Sequence, residues 1–160
     1  MAVNVGDSIP DVNLATMGGS GPEQVSTEDL FKGKKVVAFA LPGAFTPTCS
    51  AKHLPGFVAN ADAIKAKGVD SIICLSVNDV FVMDAWGKDQ NVGDKVAMIA
   101  DGSGALANAL GLELDLTERG LGVRSRRYSM IVDDGVVSLL NLEDGGAFEV
   151  SSAEKILEQL

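Results

Sequence analysis

The chain has no long apolar run and few cysteines, and both shortages narrow its class. None of its apolar stretches reaches about 18 residues, the minimum for a membrane-spanning helix. The first residues, Met1 to Asp7, lack the basic and apolar regions of a signal peptide, so we expect a protein that is neither exported nor anchored. Its two cysteines cannot form a disulfide framework. We therefore expect a reducing, cytoplasmic compartment in which any disulfide is transient.

Positive charge is also scarce. Lysine and arginine together number 13 against 22 acidic residues, which gives a formal net charge of −9. Such a surface repels nucleic acid and anionic membranes, so neither is predicted as a partner. All four arginines nevertheless fall between Arg119 and Arg127, and this clustering indicates a local positive site.

What the chain has in quantity is apolar material. Hydrophobic residues make up 46% of its 160 positions, which is enough to bury a core. No internal repeat, low-complexity tract or long linker divides it. We predict a single domain over residues 1–160.

The order of predicted elements defines an α/β fold. Two apolar runs, 35–41 and 69–77, read as buried parallel strands, and residues 47–67 between them read as a helix that Pro55-Gly56 bends. The later elements are a helix over 80–90 capped by Asp79, a strand over 96–100, a helix over 103–110, strands 127–133 and 136–142 around an Asp134-Gly135 turn, and a last helix opened by a Ser151–Glu154 capping box. This is the thioredoxin-like order, with a mixed central sheet and helices on both faces.

Cys49 is the residue whose position most favours a reactive side chain. It follows the first parallel strand at the start of a helix, where unpaired N–H groups and the helix dipole favour a thiolate, the nucleophilic form. The alternative, a small buried hydrophobe, fits poorly with its turn-forming neighbours. A thioredoxin-type dithiol is excluded because the residue three positions on is Lys52.

The surrounding residues resemble one known family. Pro42-x-x-x-Thr46-x-x-Cys49 matches the peroxiredoxin active-site pattern, and residues 42–57 resemble its atypical type II, peroxiredoxin-5-like subfamily. Further segments extend the resemblance along most of the chain: 75–83, 86–88 and 126–130. The resemblance implies a thiol peroxidase that reduces hydrogen peroxide and alkyl hydroperoxides without metal, flavin or haem.

The resemblance also assigns roles. Cys49 would attack the peroxide and become a sulfenic acid, Thr46 and the Cys49 N–H would hold the peroxide, and Pro42 would shield the thiolate. Arg127 matches the family's active-site arginine. Arg126 should then face the other way, because side chains alternate along a strand, and we expect it to be a surface or salt-bridging residue, as we do Arg119 and Arg124. Electrons would return through glutathione with glutaredoxin, or through thioredoxin.

Two further residues keep alternatives open. His53, one helical turn after Cys49, is expected to support the site rather than to transfer a proton. Cys74 sits inside a strand. Plant members of the subfamily have a resolving cysteine at the matching place, so either Cys74 resolves the sulfenic acid after local unfolding or an external thiol does. Two alternative functions are also considered. One is a zinc site built from Cys49, His53 and Cys74. The other is a peroxide sensor in which Cys49 passes its oxidation to a partner protein.

Assembly is the last expectation from sequence. An exposed apolar edge that contains Phe45, Phe81 or Trp86 would support a homodimer, which is common in the subfamily.

Overall fold

The computed structural model describes residues 2–160. Its strands are β1 (Asn13–Gly18), β2 (Gly21–Ser26), β3 (Lys35–Ala40), β4 (Ser71–Ser76), β5 (Ala97–Ala100), β6 (Glu113–Leu116), β7 (Gly122–Ser125), β8 (Tyr128–Asp133) and β9 (Val136–Leu142). Its α-helices are α1 (Thr27–Phe31), α2 (Leu54–Lys65), α3 (Val80–Asp89), α4 (Ala105–Leu110) and α5 (Ala153–Gln159), with a π-helix at Cys49–His53 and a 3₁₀ turn at Thr117–Arg119. None of the helices within residues 2–160 combines the length and apolarity needed to span a bilayer.

Seven strands form one mixed sheet. Their order is β2-β1-β5-β4-β3-β8-β9, and β6 and β7 form a separate ribbon. β3, β4 and β5 run parallel, whereas β8 pairs antiparallel with β3 and β1 antiparallel with β5. The carboxyl ends of the parallel strands therefore share one edge, and the chain that leaves β3 at this edge leads to Cys49.

Apolar layers cover both faces of the sheet. Helices α2, α3 and α5 pack on one face, where Phe57, Met83 and Ile156 are buried with Cys49 and Cys74. Helices α1 and α4 pack on the other face. Because both faces are covered, β3 is apolar along almost its whole length, and this explains the continuous run that predicted it.

Most of the predicted elements are present with shifts of one or two residues at their ends. Asp79 caps α3 by accepting a hydrogen bond from the N–H of Val82, at 2.9 Å. Gly111 ends α4 in the left-handed conformation. The Asp134-Gly135 turn joins β8 and β9 with positive φ at both residues, 48° and 80°. The mixed sheet with helices on both faces is confirmed.

Two local predictions need correction. The last helix has no Ser151–Glu154 capping box, because Ser152 is the N-cap and its Oγ accepts from the N–H of Lys155. The irregularity expected at Pro55-Gly56 lies earlier, in the π-helix, where the N–H of Leu54 donates to the carbonyl of Cys49. Pro55 itself is in the first turn of α2, where a missing N–H costs nothing.

Candidate active site

A loop held by polar contacts carries the chain from β3 to Cys49. The N–H of Ala44 donates to Oδ1 of Asn78 at 3.0 Å, and the Thr46 hydroxyl donates to the carbonyl of Gly43 at 2.7 Å. Phe45 between them has a φ of 63°, a region that costs a residue other than glycine about 1 kcal/mol. A tight loop therefore precedes the helical turns, which begin at Pro47.

Cys49 lies in the first turns of that helix, as predicted, and it is fully buried. The N–H of Ser50 already bonds to the carbonyl of Thr46, at 2.9 Å, so the N–H groups just before it point out of the helix end. The partial positive charge of this end favours an anion at the Cys49 sulfur.

Arg127, immediately before β8, contacts the sulfur directly. Its Nη2 donates to Sγ of Cys49 at 3.2 Å, and its Nη1 lies 2.9 Å from Nδ1 of His53. Arg127 is 4% exposed, and its Nε has no hydrogen-bond partner among the described residues. The sequence prediction that Arg127 reaches Cys49 agrees with this geometry.

No carboxylate within residues 2–160 forms an ion pair with Arg127. A buried cation without a partner is strongly unfavourable, whereas a Cys49 thiolate at 3.2 Å provides the missing negative charge. The guanidinium and the helix end thus both place positive charge next to the Cys49 sulfur.

His53 is a neutral link between Arg127 and the backbone. Its Nε2 lies 3.0 Å from the carbonyl of Ser151, which can only accept, so Nε2 carries the hydrogen and Nδ1 accepts from Arg127. Burial first, and the charge of Arg127 second, lower the pKa of His53 to about 3. At neutral pH the ring is therefore uncharged and has no free lone pair, which agrees with a supporting role.

Aromatic rings surround this imidazole. The ring centroids of Phe39, Phe57 and Phe148 lie 5.0, 5.6 and 5.1 Å from that of His53. Phe148 also lies under the Arg127 guanidinium, whose Cζ is 5.8 Å from the ring centroid. These rings exclude water from the two side chains that lie behind the sulfur.

Pro42 and Thr46 lie in the loop that leads from β3 to the helical turns containing Cys49. Both are half-buried. Because the Thr46 hydrogen is directed at the carbonyl of Gly43, its oxygen is left as an acceptor for a hydroxyl hydrogen.

Cys74 lies in the middle of β4, with Phe39 and Met98 as its neighbours on the adjacent strands. Its thiol is buried and free, on the same face of the sheet as Cys49. Burial first, and then the charge of Cys49, raise its pKa well above the usual value. Cys74 is therefore a protonated, weakly nucleophilic thiol in this conformation.

Several residues of the site were missed from sequence. Ser151 contacts His53 only through its backbone carbonyl, and Phe148 and Glu143 lie in or beside an irregular segment with no recognisable motif. Of the missed residues, Asn78 could have been predicted, because it is polar and follows β4 at the edge of the sheet where the parallel strands end.

The remaining arginines and Trp86 require some correction. Arg126 contacts Asp144 at 3.7 Å, as expected of a salt-bridging residue. Arg124, predicted to lie on the surface, is half-buried and donates to the carbonyl of Pro42 at 3.2 Å. Trp86, offered as part of an exposed edge, is fully buried and donates to the Ser50 hydroxyl at 3.1 Å.

The zinc alternative does not fit these contacts. Both ring nitrogens of His53 are engaged, and the cation of Arg127 lies against the Cys49 sulfur. Within the described part of the chain, no three His, Cys, Asp or Glu side chains are grouped to bind a metal.

Fold and site together define a class, the thiol-based redox enzymes of thioredoxin-like fold. The Redoxin family matches residues 4–157. Peroxiredoxin-2C of Oryza sativa subsp. japonica is 52% identical over 159 residues, covering 99% of this chain and 98% of its own. The chloroplastic Peroxiredoxin-2E of Arabidopsis thaliana is 52% identical over 163 residues, covering 99% of this chain and 70% of its own.

A solved structure shows the same relationship. Reduced Prx3 from Vibrio vulnificus in complex with H₂O₂ is 50% identical and superposes with a TM-score of 0.95, over 98% of each chain. The chain belongs to the Redoxin family, and its high identity to plant type II peroxiredoxins makes it a thiol peroxidase.

Proposed function

We propose that Cys49 is the peroxidatic residue and that the enzyme reduces hydrogen peroxide and alkyl hydroperoxides through a sulfenic acid. The observation that carries this proposal is the position of the buried Arg127. Its Nη2 lies 3.2 Å from the sulfur, and no carboxylate of the described chain forms an ion pair with it. Such a contact favours the thiolate that must attack the O–O bond.

In the proposed step the thiolate attacks one peroxide oxygen. An S–O bond forms as the O–O bond breaks, and the electron pair moves to the leaving oxygen, which takes a proton and departs as water or an alcohol. The free Nε–H of Arg127 is an unused buried donor for the charge that develops on that oxygen. The Thr46 oxygen would accept a hydrogen bond from the peroxide hydroxyl. Pro42, which has no N–H, would shield the sulfur from water.

Return to the thiol requires two reducing equivalents. A thiol would displace water from the sulfenic acid to form a disulfide, and a second thiol would cleave that disulfide. Glutathione with glutaredoxin, or thioredoxin, is the proposed source. Cys49 is fully buried, so either donor requires the helix start to open.

Cys74 is either the first thiol in this return or a packing residue. Its raised pKa and its place within β4 argue against reaction in the present conformation. Peroxide turnover by wild type and Cys74→Ser, measured with each reductant and accompanied by non-reducing mass analysis, distinguishes the two. A variant that stays fully active with every reductant makes Cys74 structural, and loss of activity with one reductant makes it resolving for that pathway.

The experiment that tests the proposed function is steady-state peroxide consumption by wild type and Cys49→Ser. We expect turnover with at least one thiol reductant, and none in the variant, because serine is not ionised at neutral pH. A wild type that oxidises once and does not turn over favours the alternative, a peroxide sensor that passes its oxidation to a partner protein.

A homodimer in a reducing cytoplasm completes the proposal. Phe45 and Phe81 are 54% and 64% exposed, which is unusual for side chains of this size and supports an apolar contact surface. The two free cysteines support a reducing compartment.

A further inference from the structure

Glu143, the residue that follows β9, is a buried carboxylate that has no cationic partner in the described part of the chain. It is 2% exposed. A buried carboxylate is normally balanced by a cation or by several hydrogen bonds. Glu143 has the hydrogen bonds, and all of them come from one short segment of chain.

One oxygen of Glu143 accepts four hydrogen bonds. The backbone N–H groups of Glu149, Val150 and Ser151 each donate to Oε2 at 2.8 Å, and the Ser151 hydroxyl donates at 2.7 Å. Consecutive N–H groups that converge in this way form an anion-binding nest. Burial alone would raise the pKa of Glu143, but these hydrogen bonds lower it below its ordinary value. The ionised carboxylate is therefore the stable form at neutral pH.

The segment that Glu143 holds contacts the active site at two points. Residues 143–152 contain no helix or strand. The hydrogen bonds from residues 149–151 to the Glu143 carboxylate therefore connect the two ends of this loop. The carbonyl of Ser151 accepts from His53, and the ring of Phe148 lies against both His53 and Arg127. Moving this loop would release the imidazole that accepts from Nη1 of Arg127.

A third link runs through the backbone of Glu143 itself. Its N–H donates to the carbonyl of Arg127 at 3.0 Å, and its carbonyl accepts from Nη2 of Arg126 at 2.8 Å. Arg127 and Glu143 thus lie opposite each other at the open end of the β8–β9 hairpin. The same residue fixes the main chain beneath the guanidinium and the loop that covers it.

We infer that Glu143 is a positioning residue for the peroxide reaction: its carboxylate organises residues 149–151 so that Ser151 and Phe148 hold His53 and Arg127 against the Cys49 sulfur. It touches neither sulfur nor peroxide and acts through those side chains. This inference rests on the proposed role of Cys49. Its effect should be on the thiolate and on the rate of the peroxide step, beyond any effect on stability.

The test compares Glu143→Gln with Asp101→Asn. Asp101 is a matched control, because it too is a buried carboxylate that accepts hydrogen bonds from backbone N–H groups. Its donors are Leu106 and Ala107, in the first turn of α4. Phe148→Ala is a third variant, which removes a contact carried by the loop and leaves the carboxylate intact. Two quantities are measured on each folded variant. The first is the second-order rate constant for reaction with hydrogen peroxide, obtained by rapid mixing. The second is the rate of iodoacetamide alkylation of Cys49 in the absence of peroxide, as a function of pH.

We expect Glu143→Gln to lower the second-order rate constant for peroxide by about tenfold or more, because small displacements of reacting groups are costly. The alkylation profile should shift to higher pH. Phe148→Ala should change both readouts in the same direction, and Asp101→Asn should lose thermal stability with little change in either.

Three outcomes decide the matter. If Glu143→Gln folds and keeps the wild-type rate constant and alkylation profile, the inference is wrong and Glu143 is only structural. If Glu143→Gln does not fold, Phe148→Ala decides alone, and wild-type behaviour in that variant overturns the inference. A wild-type enzyme whose Cys49 does not react with peroxide would instead contradict the proposed function, so the two failures are distinguishable.

Discussion

After Cys49 itself, Arg127 has the largest expected effect on the chemistry, because the three nitrogens of its planar guanidinium have different roles. Two nitrogens contact Cys49 and His53, and the third is a free donor. A lysine keeps the charge but cannot reproduce this fork. We expect Arg127→Lys to slow the peroxide step by about a hundredfold, the cost typical of losing a donor to a developing charge. Stopped-flow kinetics measure this.

The control for that variant is Arg119→Lys. Arg119 is an exposed member of the same cluster of arginines and lies in the 3₁₀ turn between β6 and β7. Its replacement should leave the peroxide rate unchanged. Equal rates in wild type and Arg127→Lys would remove the guanidinium from the mechanism.

His53 makes stability depend on pH in a defined window. In the unfolded chain, His53 binds a proton below about pH 6.5. In the folded chain its pKa is lowered to about 3, so it stays neutral until much lower pH. The free energy of unfolding therefore falls as pH decreases between these two values. Between pH 7 and pH 5 the free energy of unfolding should drop by about 2 kcal/mol from this one group. Urea titrations at the two pH values measure the change.

His53→Gln is the matched variant for this titration. Glutamine offers one acceptor and one donor, as the neutral imidazole does, but does not titrate. Because His53 is the only histidine, the drop should shrink sharply in the variant. A variant as sensitive to pH as wild type would assign the dependence to other groups.

Residue roles were predictable where side-chain type carries the chemistry. Cys49, Thr46 and Arg127 belong to a pattern with a chemical rationale, and the structure places Arg127 against the sulfur. The contributions of Ser151 and Glu143 were not predictable. Ser151 acts through a backbone carbonyl, and Glu143 through N–H groups six to eight residues further along the chain, so neither depends on a local sequence signal.

At the scale of elements, the β8–β9 hairpin aligns the site, because Arg127 precedes it and Glu143 follows it. Its turn needs positive φ at Asp134 and Gly135. A Cβ on Gly135 would meet no atom within 4 Å, so Gly135→Ala isolates the conformational cost. We expect a loss of about 1 kcal/mol in the free energy of unfolding, measured by urea denaturation.

Gly146→Ala is the control. Gly146 has negative φ and equally open surroundings, so its substitution should change stability by less than about 0.5 kcal/mol. Equal losses in the two variants would mean that the turn conformation is not what Gly135 provides.

Elements with strong local signals were predicted well. The apolar run at 35–41 and the Asp134-Gly135 turn each specify their structure within a few residues. The β1–β2 hairpin, α1 and the β6–β7 ribbon were not predicted. The strands of both hairpins are only partly buried, so their hydrophobic patterns are weak.

For the whole molecule, the exposed aromatics lead to a prediction about assembly. Burying Phe81 between two copies would contribute apolar contact area that a serine cannot. Phe81→Ser should therefore shift a wild-type dimer toward monomer in sedimentation velocity. Val5→Ser, at a residue 61% exposed in the amino-terminal segment, should leave the assembly unchanged. A wild type that sediments as a monomer at all concentrations would contradict the dimer.

The most direct test of the central claim is to trap the oxidised sulfur. The purified protein is mixed with one equivalent of hydrogen peroxide in the presence of dimedone, which reacts with sulfenic acids, and the labelled residue is identified by mass spectrometry. The Arg127 contact predicts prompt labelling of Cys49 and none of the protonated Cys74. A Cys49 that stays unmodified after peroxide would contradict the account.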